Sequence, residues 1–431
     1  MALAELSGAA SCRWGRRYGE QRAKRKHRQN DRCKAAACGT ELCGTVHAAF
    51  FRPFDLVLLI VSLFDYSDRT VAYGVTVLGI AILLYNIVQY GVLTRVTRFI
   101  LPGLTLSVIG VISFTHSRVT GLDNSYGAAI IPLFLILFSC FPHPIREESG
   151  RIAHHFHMLL IVLSVVMLLA RMAGLEFSHQ NMVIAFFALS LSVAMWNKSQ
   201  IILLVLIISI YTLYRPSSTI VVSMMMTLAV PGLGLVSKPA LFKVAKLMIL
   251  ASTVYNVLIL LYPHLLQLPF NLEQDLKQDF LGAHSNSEFR LAVLESASEA
   301  YHNSSLVFGS YFSGSINAQH MEYFLPWWHE FNAPIHSDFA IIVLQGGIFG
   351  AALLALFFIK LVSFLQIVAE NARPGDRYTV GYCQGTVLSI MNFTLFANFN
   401  PMMGSLSATI CIYALIYGAS FMMDRQRVVT S

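Results

Sequence analysis

Charge is what this chain has least of. Only 12% of its 431 residues are Asp, Glu, Lys or Arg, while 56% are hydrophobic; a water-soluble domain carries about 25% charged residues. That imbalance excludes an ordinary soluble domain and points to lipid as the surrounding medium. Motifs for nucleotide or metal chemistry are missing too: there is no Walker loop, no dinucleotide-binding glycine fingerprint, no nucleophile elbow and no HExxH helix. Ionisable residues are scarce inside the apolar runs. This argues against a proton- or sodium-driven transporter, whose membrane helices carry such groups. Cysteines are few and poorly spaced for a metal. Cys33, Cys38 and Cys43 stand five apart rather than in close zinc-type pairs. None of the seven cysteines falls in residues 263–338, so no disulfide staples that segment. Neither a metal nor another cofactor is expected.

What the chain does have is apolar runs of bilayer-crossing length. Reading them against polar breaks gives an all-α, polytopic membrane bundle of twelve spans, at about 50–66, 71–90, 97–115, 124–141, 153–173, 180–196, 200–214, 217–236, 243–262, 339–359, 380–397 and 403–423. The formal charge of +7 does not indicate nucleic acid, because ten of the thirty Lys and Arg lie in residues 1–50. That stretch reads as a disordered cytoplasmic tail (1–49) touching anionic lipid. With the tail inside, connections on its side collect thirteen Lys and Arg, among them Arg95, Lys198, Lys246, Lys360 and Arg377, against six on the other. The positive-inside rule then places both termini in the cytoplasm. The expected organisation is 1–49 tail, 50–262 spans one to nine, 263–338 outer loop, 339–423 spans ten to twelve and 424–431 cytoplasmic tail.

The outer loop holds the chemistry-bearing residues. It is rich in aromatics, and residues 289–303 have helical spacing, with Phe289, Ala292, Leu294, Ala297 and Ala300 on an apolar side and Arg290, Glu295 and Glu299 on a polar one. An outer-face site without nucleotide could transfer a sugar from a lipid diphosphate to a hydroxyl. It needs a cation for the diphosphate and a base near neutral pKa for the acceptor proton. Arginine suits the first role and histidine the second. His336, Ser337 and Asp338 stand directly ahead of span ten, where free N–H groups favour an anion. Gly346, Gly347 and Gly350 then form a small-residue surface for close helix packing. The same triplet could instead merely cap an interfacial helix. Glu330 and His329 are near in sequence to His336 and could orient it, and Tyr323, Trp327 and Trp328 could stack on sugars or form an interfacial belt.

These residues resemble the O-antigen ligase and polysaccharide polymerase superfamily of bacterial inner-membrane proteins. Its pattern H-[N/S/Q]-x9-G-x2-G is similar to His336, Ser337, nine residues, Gly347, two residues and Gly350, and its R-x3-L element to Arg290 and Leu294. With the expected topology, the resemblance covers residues 50–423. The glycine-rich turn after the loop helix is reduced here to Gly309 and Gly314 in VFGSYFSGS, and the usual Ser-Arg before span seven reads Lys198-Ser199.

The resemblance implies a metal-independent glycosyltransferase of the GT-C type. His336 would activate the acceptor and Arg290 would hold the diphosphate, with Arg215, at the outer end of span seven, as a second diphosphate-binding candidate. Ser337, Asp338 and Glu330 would support them. The donor would be an undecaprenyl-diphosphate-linked oligosaccharide and the acceptor a glycan. The further partners would be membrane lipids and a chain-length regulator and flippase of the same pathway, with no nucleic acid. The form HSDF resembles exopolysaccharide polymerases more than the HN form frequent among ligases, so polymerisation of repeat units of an exopolysaccharide or O-antigen is expected rather than ligation to lipid A-core. A protein O-oligosaccharyltransferase and a lipid-linked glycan flippase are the remaining alternatives.

Overall fold

The computed structural model describes residues 102, 105, 149–174, 182–214, 217–234, 239–266, 287–309, 337–372 and 375–399. All of them fall within one compact unit, Leu58–Ser431. The described residues form eight α-helices and a short 3-10 turn, with no strand: α1 (Ser149–Met172), α2 (Val183–Ala194), α3 (Lys198–Tyr214), α4 (Ser218–Gly232), α5 (Ala240–Leu261), the 3-10 turn Pro263–Leu266, α6 (Ser287–His302), α7 (Asp338–Glu370) and α8 (Arg377–Phe399). Seven of these helices coincide with the apolar runs numbered five to eleven, and α6 with the helical pattern in the loop. Runs one, two, four and twelve, run three apart from residues 102 and 105, and both tails lie outside the described residues.

Helix is the expected answer to long apolar runs, because it satisfies each backbone N–H and C=O within its own segment when water is absent. Local signals set the ends. Asp376 caps α8, its carboxylate accepting from the Thr379 N–H at 3.0 Å and the Thr379 hydroxyl at 2.8 Å. At the α2–α3 corner Trp196 sits at φ 56°. There Trp196 N–H bonds the Val193 carbonyl at 3.1 Å and Asn197 N–H the Ser192 carbonyl at 3.0 Å, a Schellman closure. Asn197 then opens α3, accepting from the Gln200 N–H at 3.4 Å.

The outward faces are apolar. Met158, Val162, Val166 and Leu169 make an exposed stripe at helical spacing on α1, and Leu247, Leu250, Val254 and Leu258 make another on α5. Water would leave such faces unfavourably solvated; a bilayer would not. Helices α5 and α7 are long and apolar enough to cross a membrane. The interior carries the polar groups instead. Helix α8 is buried along most of its length and packs against α2, α4, α5 and α7. Gly385 lets it approach α2 closely, since a Cβ there would stand 2.8 Å from the Leu191 Cα. Asn392 then ties three helices together, donating to Ser190 of α2 at 3.0 Å and to Thr227 of α4 at 2.9 Å.

Helix α7 does not run straight. Its residue Gln366 accepts from Lys246 of α5 at 2.9 Å, while Ser337, just before its start, donates to Asn256 of α5 at 2.8 Å. On α5 the contact points 246 and 256 are about 15 Å apart at 1.5 Å per residue; on α7 the points 366 and 337 would be about 43 Å apart in a straight helix. Side-chain reach cannot absorb a mismatch of about 28 Å. The helix breaks at Gly347, whose φ of 61° and ψ of −161° belong to a region open essentially to glycine alone. Counting back from Gln366 sets Gly347 level with about residue 265 of the 3-10 turn, and ten further residues return the chain to the level of Asn256. The first segment, 338–346 (α7a), therefore folds back beside α5 before the second, 348–370 (α7b), runs the length of the bundle. The run 339–359 read as a single span divides at this glycine, and α7b extends to Glu370.

The turn after α6 holds the break in place. Ile348 N–H bonds the Leu306 carbonyl at 3.1 Å and Phe349 N–H the Val307 carbonyl at 2.9 Å, which supplies acceptors for the freed first turn of α7b. Gly309 and Gly347 are in backbone contact. A Cβ on Gly309 would strike the Leu344 carbonyl, and one on Gly347 the Val307 carbonyl.

Candidate functional site

Ser337 is the N-cap of α7a, and its hydroxyl works in two directions. It accepts from the Ala340 N–H at 3.2 Å and donates to the Asn256 amide oxygen at 2.8 Å. The Asn256 amide nitrogen donates to the Asn398 side-chain oxygen of α8 at 2.5 Å and to the Ser252 carbonyl at 2.7 Å. The Asn398 nitrogen in turn donates to the Ser252 hydroxyl at 2.8 Å and the Thr394 carbonyl at 2.9 Å. All four side chains are buried. Both amides use their two N–H groups and their oxygen, and amides satisfied in this way specify one arrangement. It lies about 8 Å below the Leu261 end of α5, five residues down at the helical rise.

Asp338, in the first turn of α7a, is buried with an exposure of 4%. Beside this polar layer is an apolar one. Ile259 and Leu260 of α5, Leu294 and Tyr301 of α6, and Val343 and Leu344 of α7a belong to a single buried cluster. The Ser298 hydroxyl locks α6 to α5 by donating to the Leu260 carbonyl at 2.6 Å. Tyr301 is fully buried and donates to the Leu306 carbonyl at 2.9 Å, shaping the turn that meets Gly347.

Of the residues expected to act, Ser337, Asp338, Gly346, Gly347 and Gly350 are described, and all five are buried in α7 or at its cap. Gly347 does more than the small-residue surface expected of it, because it forms the hinge of α7. Arg290 lies on the backbone of α6, one helical turn before the buried Leu294. His336, Arg215 and Glu330 lie outside the described residues, as do His329, Tyr323, Trp327, Trp328 and Gly314. Reading the sequence missed Asn256, Asn398 and Ser252. A signal was there, since an asparagine inside an apolar run is costly and rarely idle. No protein-family model matches the chain, and no curated protein matches it.

Proposed function

We propose that the chain is a polytopic membrane glycosyltransferase that acts at the periplasmic face on undecaprenyl-diphosphate-linked oligosaccharide and polymerises repeat units of an exopolysaccharide or O-antigen. One observation carries this reading: the two short elements that resemble the polymerase and ligase superfamily meet. Leu294, of the R-x3-L element, shares a buried cluster with Ala340, Val343 and Leu344, of the H-S-x9-G-x2-G element. Two chain segments far apart in sequence are thereby held together, as a site built from both requires.

In the proposed reaction the acceptor hydroxyl oxygen attacks the anomeric carbon of the donor. A new C–O bond forms, the bond from that carbon to the diphosphate oxygen breaks, and undecaprenyl diphosphate leaves. His336 takes the hydroxyl proton. Arg290, joined by Arg215, holds the diphosphate and absorbs its growing charge through paired N–H donors. Asp338 and Glu330 are the carboxylates nearest to His336 in the sequence and would support it.

The test is a strain carrying His336→Ala. It is expected to keep full-length protein and to accumulate single lipid-linked repeat units on the periplasmic side. Fully polymerised lipid-linked chains would identify a ligase, and repeat units trapped on the cytoplasmic side a flippase. In addition, Arg290→Lys is expected to leave the protein folded and cut turnover, because an ammonium lacks the guanidinium's two-pronged hold on phosphate. Unchanged glycan length and yield in that variant would remove Arg290 from the mechanism.

A further inference from the structure

We infer that Asn256, backed by Asn398, is a positioning residue for this reaction, acting through Ser337 on the segment that carries His336. The inference rests on the proposed role of His336 as base. Its own support is the hydrogen-bonded layer among α5, α8 and the start of α7a.

A segment bearing a base must be held to a fraction of an ångström, because a displacement of about 1 Å in a reacting group can cost about 100-fold in rate. An ordinary N-cap does not hold its helix against neighbouring helices; it satisfies one N–H of its own chain. Here the cap is itself captured. The Ser337 hydroxyl gives its single proton to Asn256 while accepting from Ala340. Asn256 is immobilised in turn by Asn398 and by the Ser252 carbonyl. The cap of α7a is thus tied to two helices that pack against each other. The hinge at Gly347 supplies the other constraint. It returns α7a to the depth of Asn256, where a straight helix would place Ser337 far beyond it. Helix glue alone would need neither the reversal nor the direct bond from the amide to the cap. In the sequence His336 directly precedes the captured serine.

The experiment uses the full-length protein in detergent, with lipid-linked glycan extracted from native membranes as donor and acceptor. Rates are expressed per mole of folded protein, and donor concentration is varied. Asn256→Ala and Ser337→Ala are each expected to lower kcat by about 10- to 100-fold while the donor KM stays within about twofold, since diphosphate binding does not pass through this layer. Ser337→Thr keeps a hydroxyl able to cap and to donate, and is expected to recover most of the lost kcat. Ser337→Ala leaves the bonds among Asn256, Asn398 and Ser252 in place, so it carries the test alone if Asn256→Ala does not fold. A kcat per folded molecule equal to wild type in these variants, or a raised KM at unchanged kcat, overturns the positioning role. Full activity in His336→Ala overturns the proposed function itself, whereas its loss together with wild-type kcat in Ser337→Ala overturns only the inference.

Discussion

Replacing Gly347 with alanine is the sharpest perturbation of this architecture. Two costs add. At φ 61° and ψ −161° an alanine backbone is strained, by about 1–3 kcal/mol. The new methyl would also strike the Val307 carbonyl and the Gly309 nitrogen. These are backbone atoms and cannot rotate aside, so the turn 304–309 must move. Movement breaks the bonds from Ile348 to Leu306 and from Phe349 to Val307. Each lost bond costs about 0.5–1.5 kcal/mol, and more where a donor stays buried. The expected destabilisation is about 2–6 kcal/mol in total. Gly174→Ala is the control, because its φ of 84° is also positive but nothing stands within 4 Å of a new Cβ; it should lose only about 1 kcal/mol. Unfolding of purified protein in mixed micelles, followed by helical signal against denaturant, measures both. Gly309→Ala approaches the same contact from the other side. The double variant should therefore lose less than the sum of the singles, since a turn already displaced cannot clash again. If Gly347→Ala proves no worse than Gly174→Ala, the seated turn and the reversal it stabilises are wrong.

Two further outcomes follow from the packing. Gly385→Ala should destabilise by about 1–3 kcal/mol, because its Cβ would meet the Leu191 Cα at 2.8 Å; Gly381→Ala, whose tightest neighbour is the Ala194 carbonyl at 3.2 Å, should cost less. Equal effects in the same micelle unfolding assay would refute the close approach of α8 to α2 at Gly385. Tyr301→Phe should cost about 1 kcal/mol by removing the bond to the Leu306 carbonyl. Burial raises the Tyr301 phenol pKa above its ordinary 10.0, so the folded state holds this proton more tightly than the unfolded chain. Its contribution is complete below the ordinary tyrosine pKa and is lost as pH climbs from there through the raised value. The phenylalanine variant should therefore show a shallower loss of stability with rising pH above about 10, and parallel profiles for the two proteins would contradict the assignment.

The opening and the inner face of α6 were legible in the sequence. Its apolar spacing marks Leu294 and Ala297, which are buried, and leaves Glu295 and Glu299 exposed. The periodicity did not mark Tyr301 and Ser298, polar-tipped residues that are buried because carbonyls of Leu306 and Leu260 receive their hydroxyls. Likewise Gly347 and Gly309 stood out as glycines, but their mutual contact did not, since it joins a loop turn to a helix far along the chain.

Composition and local pattern, read alone, determined that the described part of this chain is helical, with apolar outward faces, and roughly where each of its helices begins and ends. These properties depend on residues within a turn or two of one another and on the surrounding medium. The tertiary structure alone decided that α7 turns back at Gly347 and that Ser337 reaches Asn256, because both depend on hydrogen bonds between residues many turns apart, and nothing in the local spacing of a serine and an asparagine says that they will meet.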